Sequence, residues 1–314
     1  MPDAPVRPDQ AHFFAADTGL GVVDQLDETA APTSLWADAW QSLRRRPLFW
    51  ISAALITLVL LVAAFPTMFT SLDPRFCELR NSLADPSAGH PFGFDRQGCD
   101  IYARTIHGAR ASVATGVLTT LFVLLVGGSV GAVAGFFGGW FDALLSRVTD
   151  VFFAIPLVLA AIVVMQMFKE SRSVLTVVLV LGIFGWPQLA RVTRGAVMAV
   201  RGSEFVTAAR ALGSSRFATL VRHVAPNASG PVIVTSTVAL GTYIVAEATL
   251  SFLGIGLPPQ ITSWGADIAK AQASLRSQPM VLFYPSAALA LTVLSFIMMG
   301  DAVRDALDPK ARTR

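Results

Sequence analysis

Six apolar runs of about 20 residues each limit what this chain can fold into more than anything else in it. They cover residues 48–70, 112–137, 148–168, 174–190, 229–252 and 281–300. A helix of that length crosses a hydrocarbon core. Lipid offers no partner to a free backbone N–H or C=O, so the spans must be helices that satisfy themselves. The expected fold is therefore an all-α integral membrane protein with six transmembrane helices. Composition agrees, with 54% hydrophobic residues and only 14% charged.

An even number of spans puts both termini on one side. If that side is the cytoplasm, the internal segments carry 15 of the 24 basic residues, including Arg44, Arg45 and Arg46 against the first span, and 9 lie outside. The net charge is only +3, so its distribution matters more than its sum. Residues 1–33 have no apolar stretch of signal-peptide type and carry Asp3, Asp9, Asp17, Asp24, Asp27 and Glu28, which reads as a disordered cytoplasmic tail. Over 34–47, with Trp36, Trp40 and Leu43, the chain reads as an interfacial amphipathic helix; its tryptophans could equally be plain membrane-belt residues. A six-span domain over 48–314 follows. It has outer loops at 71–107 and 253–280 and a cytoplasmic loop at 191–228.

That cytoplasmic loop contains a polar hairpin of two short amphipathic helices at 203–227. Phe205, Ala208, Ala209 and Leu212 fall at helical spacing in the first arm, and Phe217, Leu220, Val221 and Val224 repeat it in the second. The spacing predicts one apolar stripe per arm, the two stripes packing on one another. Ser203 is placed to cap the first arm with Glu204 in its first turn, Gly213 to end it, Ser214 or Ser215 to cap the second, and Pro226 to stop it. A membrane protein that folds a capped hairpin outside the bilayer offers it to a partner.

Within the spans, Gly127, Gly131, Gly135 and Gly139 recur every four residues, a face on which another backbone can approach closely, in this subunit or a neighbour. Pro156 and Pro187 predict kinks in the third and fourth spans. Glu247 is the carboxylate well inside a span and a gating candidate, as a hydrogen-bonding group or a proton carrier; no Asp, His or Lys stands at matching depth to relay a proton. Cys77 and Cys99 share the first outer loop, where oxidising conditions favour a disulfide over two free thiols.

No catalytic site is expected. Each of the three lysines follows Phe168, Ala269 or Pro309, so no GxxxxGK[ST] phosphate loop exists and this chain binds no nucleotide by that route. The histidines, His12, His90, His107 and His223, are scattered without metal-ligand spacing. Nothing points to nucleic acid.

At the hairpin the sequence resembles the EAA loop of ABC-importer permeases, E-A-A, three residues, Gly, nine residues, I-x-L-P. Here Thr207, Ala208, Ala209, Gly213 and then His223, Val224, Ala225 and Pro226 keep the spacing. The string RHVAPN, ending at Asn227, is similar to the RHILPN of the dipeptide/oligopeptide branch. HPFGFDRQGCDIYARTIHGARAS at 90–112 looks like that branch's HPLGTDxxGRDxxSRxxxGARxS, with Cys99 where arginine is usual. EATLSFLGIGLPP at 247–259 and GDAVRDALDPKAR at 300–312 resemble its C-type subunit as well. The likeness runs from about Trp36 to the end.

The resemblance implies a type I importer permease in a bacterial inner membrane. Its partners would be two cytoplasmic ATPases, which bind ATP and Mg, a homologous second permease and an extracytoplasmic binding protein that meets the outer loops, with lipid around the spans. It implies ATPase-coupling roles for Glu204, Ala208, Ala209, Arg210, Gly213, Ser215, Arg222, His223, Pro226 and Asn227, the small residues allowing close approach and the charged ones making rim contacts. The substrate implied is a di- or oligopeptide; nickel chelates or other small solutes suit the same architecture. A proton-coupled secondary carrier is the competing reading, and a membrane scaffold without transport a third.

Overall fold

The computed structural model describes residues 35–307. The tail expected over 1–33, Lys310 and Arg312 of the last motif, and Arg314 lie outside the described residues. Within them the regular structure is helical. A short α1 (Leu35–Leu43) turns at Arg44 to Arg46 into α2 (Pro47–Ala64), whose first turn accepts Pro47 because the N–H there needs no partner. After an irregular outer segment come α3 (Ile101–Phe137), α4 (Gly139–Phe153), α5 (Leu157–Met167) and α6 (Val174–Val200). The hairpin follows as α7 (Glu204–Ala211) and α8 (Arg216–Thr219). The chain closes with α9 (Ala225–Phe252), α10 (Trp264–Ala271) and α11 (Met280–Leu307).

Among the described residues five helical stretches are long and apolar enough to cross a membrane, and α4 with α5, bent by 82° at a short break, makes a sixth if the pair is one span. Half of the apolar window of α6 is buried against 6% for α2, so α6 is the central helix and α2 lies at the periphery. The glycine row explains the closest contact. A methyl group on Gly127 would stand 2.6 Å from the Trp186 carbonyl oxygen and one on Gly135 2.7 Å from that of Arg194; at Gly131 it would strike Ala190. These three glycines serve packing within this subunit. Gly139 does not belong with them: it follows the helix break at Gly138, has a φ of +67°, and a methyl there meets nothing.

The boundaries depart from expectation where a local cap or partner overrides hydropathy. The outer loop does not reach 107, because Asp100 caps α3 by accepting from Ala103 N at 2.6 Å. The fourth span does not stop at 190 but runs through Pro187 to Val200. Its extra turns carry Arg191 and Arg194, which pair with Asp150 and Asp142 of α4. The third span does more than kink at Pro156: the helix stops at Phe153 and restarts after Pro156.

Candidate functional site

The functional features gather at the two ends of the helix bundle. At one end, α6 delivers the chain into the hairpin. Arg201 Nη1 donates to the Gly135 carbonyl at 2.7 Å, tying the base of the hairpin to the end of α3. Ser203 precedes α7 without a side-chain cap bond; its carbonyl accepts from Val206 N instead. The turn is closed by Gly213 with a φ of +89°, a conformation that side chains resist. Ser214 N donates to Ala209 O and Gly213 N to Arg210 O, the paired bonds that consume the free carbonyls of a helix end. Ser215 then caps α8 by accepting from Ala218 N at 3.2 Å.

Two expectations about this hairpin are overturned. Pro226 does not stop the second arm: α8 passes through a wider turn at Leu220–Val224 into α9, giving one helical stretch, Arg216–Phe252, of 37 residues. Proline fits because it falls in the first turn of α9, where its missing N–H costs little. The apolar stripes are also not packed together. Val206, Leu220 and Val224 are buried against Phe136 and Val197 at the ends of α3 and α6. Phe205, Leu212, Phe217 and Val221 point away, with Leu212 90% and Phe217 67% exposed. The hairpin thus has two apolar faces, one used inside the subunit and one bare.

The expected coupling residues distribute around that bare face. Glu204, Ala208, Arg222, Pro226 and Asn227 are exposed, while Ala209 and His223 are partly covered. Asn227 Nδ2 donates to the His223 carbonyl at 2.6 Å. Arg210, expected as a rim contact, lays its guanidinium over the Phe136 ring at 5.0 Å, so its charge is engaged within the subunit.

At the opposite end residues 71–100 fold onto α10. Cys77 and Cys99 are joined by a disulfide. Asp95 Oδ1 accepts from Gln97 N and Cys99 N, His90 Nδ1 bonds Asp100 Oδ2 at 2.7 Å, and Phe92 stacks on Tyr284. Arg104 of α3 reaches two sides. It donates to the Pro74 carbonyl at 3.1 Å and to Asp267 Oδ1 of α10, with Nε at 3.0 Å. Burial lifts the Asp267 carboxyl above the usual range, against the opposing pull of the guanidinium.

Glu247 sits where α3, α9 and the start of α10 meet, and it is fully buried. Its Oε1 accepts from Ser251 Oγ at 2.7 Å, and Ser251 Oγ in turn accepts from Leu257 N. Oε2 has no hydrogen bond of ordinary geometry, with the hydroxyls of Ser112 and Ser263 beside the carboxyl. Ser112 also accepts from Trp264 N, and Trp264 Nε1 donates to Thr105 O at 2.9 Å. Glu247 thus orients the Ser251 hydroxyl, which ties Leu257 of the outer loop to α9.

Sequence reasoning missed the pairing of Arg104 with Asp267. A charge in the opening turn of a long apolar helix was the available signal, since such a charge must find a partner. It also missed a string: Gly127 to Gly131 reads GGSVG, the G-x-S-x-G spacing of a hydrolase nucleophile elbow. That spacing needs a strand-to-helix turn, and here it lies inside α3, so it carries no nucleophile role.

Residues 127–313 match the family described as binding-protein-dependent transport system inner membrane component, and residues 34–86 match the N-terminal TM domain of oligopeptide transport permease C. The chain is 37% identical over 300 residues to the oligopeptide transport system permease protein OppC of Bacillus subtilis, covering 96% of this chain and 97% of the relative. It is 34% identical to the dipeptide transport system permease protein DppC of Alkalihalophilus pseudofirmus, covering 89% and 91%. It is 35% identical to the glutathione transport system permease protein GsiD of Escherichia coli, covering 88% and 91%. A solved chain of the MetNI methionine ABC transporter, in inward-facing conformations, superposes with a TM-score of 0.54 at 16% identity, covering 65% of this chain and 96% of that one.

Proposed function

The chain belongs to the family of binding-protein-dependent transport system inner membrane components, a permease with the type I importer fold, and from that membership we propose that it carries di- or oligopeptides as half of an ATP-driven pathway. The work is supplied by two separate ATPase subunits that bind ATP and Mg, and a second permease closes the pathway. The solute is delivered by an extracytoplasmic binding protein at the disulfide-bearing end. The hairpin end and both termini face the cytoplasm of a bacterial cell, in keeping with the excess of basic residues there.

The observation that carries this reading is the bare face of the hairpin. Leu212 and Phe217 are largely exposed beside a face already buried on Phe136, an arrangement that a docked ATPase would cover. The relatives' names favour peptides over nickel chelates or other small solutes. A proton-coupled carrier is disfavoured by Glu247, whose carboxyl is tied to Ser251 and through it to the outer loop.

Purification in mild detergent tests the assembly: two ATPases and a second permease should co-purify, and recovery of the chain alone would defeat the reading. Gly213→Pro should leave the subunit in the membrane and abolish uptake, because proline can adopt neither the φ of +89° nor the N–H bond to Arg210. Normal uptake by that variant would remove the hairpin from the mechanism. Uptake that survives ATP depletion while a proton gradient stands would favour the carrier.

A further inference from the structure

The break in the third span poses a problem that the rest of the fold does not solve. Residues 154–156 are non-helical, Ile155 is exposed, and α4 and α5 diverge by 82° there. Backbone with unpaired carbonyls is tolerated at membrane depth only where it is covered by protein or faces water. The break opens on a cavity of about 510 Å³ between α5, α6 and α9. Across that cavity α6 contributes Pro187, which has no N–H and so leaves the Ile183 carbonyl without its usual helical donor. Two weakened stretches of backbone therefore border one space.

The third wall is a threonine face. Thr235 and Thr242 line the cavity seven residues apart, two helical turns along α9. Each hydroxyl donates its proton back to the carbonyl four residues earlier, Pro231 at 2.8 Å and Val238 at 3.4 Å. What the hydroxyls still offer the cavity is lone pairs, that is, acceptors. Gln188 adds an amide and Tyr243 a phenol, and the remaining lining residues are aromatic, aliphatic or glycine, with no charge among them. Charge appears only beyond the break, where Arg191 bonds Asp150 at 2.8 Å and lies over the Phe153 ring at 4.0 Å.

We propose that this uncharged, acceptor-rich wall is this chain's part of the solute pathway, and that it favours solutes by their hydrogen-bond donors, such as peptide N–H groups, without regard to side-chain charge. The inference rests on the permease reading and assigns it a surface. Water filling the pathway satisfies the carbonyls at the break. The threonine acceptors then exchange that water for donors on the passing solute.

The test uses the complete importer in proteoliposomes, with Ile155→Cys, Thr235→Cys and Thr242→Cys and a water-soluble charged thiol reagent. Cys77 and Cys99 are bonded to one another and do not react. All three introduced thiols should be labelled, and labelling should stop uptake while ATP hydrolysis continues; Leu58→Cys, exposed on peripheral α2, should stay unlabelled. The Thr235→Val, Thr242→Val pair should lose about fivefold in uptake of a neutral tripeptide relative to its N-methylated analogue, the effect of one hydrogen bond. Thiols that resist labelling, labelling without loss of uptake, or an unchanged ratio between the two tripeptides would each overturn the assignment. If the unsubstituted complex shows no ATP-dependent uptake at all, the permease reading falls and takes this inference with it.

Discussion

The two ends of the molecule are held together in different ways. The disulfide end is cross-braced by bonds within the subunit, although Phe76 and Leu79 stay exposed: Cys77–Cys99 closes its loop, Asp95 and Asp100 accept from backbone N–H groups, Asp100 also bonds His90, and Arg104 is held by Asp267 and Pro74. The hairpin end is left unfinished, with one apolar face packed on Phe136 and the other bare. The contrast teaches that an end can be ordered without being complete. Substitutions at the disulfide end should therefore cost stability, whereas those on the bare face of the hairpin should cost only assembly.

The largest stability effect is expected from Arg104→Ala, which leaves the Asp267 carboxyl buried without its partner. Removing one member of a buried pair costs about 3–5 kcal/mol, and the midpoint of thermal unfolding in detergent should drop accordingly. A midpoint within error of the parent would show that the platform is not held by this pair. Next comes the disulfide, where Cys77→Ser or reduction should cost about 2–4 kcal/mol. If unfolding is identical with and without reductant, the bridge is not what orders residues 71–100.

Gly213→Ala should cost roughly 1 kcal/mol because a side chain is forced into the left-handed region. Its effect should be local, read as faster hydrogen exchange in α7 and α8 with the bundle unchanged. Slower or unaltered exchange there would contradict the turn geometry. The smallest effect on the isolated subunit belongs to Leu212→Ser, within about 0.5 kcal/mol for an exposed position. The same variant should lose ATPase co-purification. Retained association would break the comparison between the two ends.

The spans were legible because each needs its own length of apolar sequence, whatever the tertiary fold. The break after Phe153 was legible only as a kink, since Pro156 signals a disturbance but not the 82° that neighbouring helices allow. Gly127, Gly131 and Gly135 announced a close approach, yet nothing in the row said that the approaching backbone was 186–194. At the hairpin, periodicity located two amphipathic arms but not which members of each stripe this subunit covers: Leu220 and Val224 are buried, Phe217 and Val221 bare. Phe205 and Val206 are adjacent in sequence and sit on opposite sides, and an apolar stripe looks the same whether its cover comes from this chain or another. Thr207, in the place of the usual glutamate, is exposed, which leaves Glu204 as the acid at the start of that arm. The pairing of Arg104 with Asp267 spans 163 residues, a separation over which local pattern carries no information.

The continuous helical stretch Arg216–Phe252 has the length of a lever. Thirty-seven residues at helical rise measure about 55 Å, so one degree of tilt at the hairpin sweeps the far end through about 1 Å. At that far end sits Glu247, bonded to Ser251, whose hydroxyl accepts from Leu257 of the loop beyond. Were the stretch to tilt as one body, through its wider turn at Leu220–Val224 and past Pro231, a nudge at Phe217 would displace the opposite surface by about the slack in a single hydrogen bond.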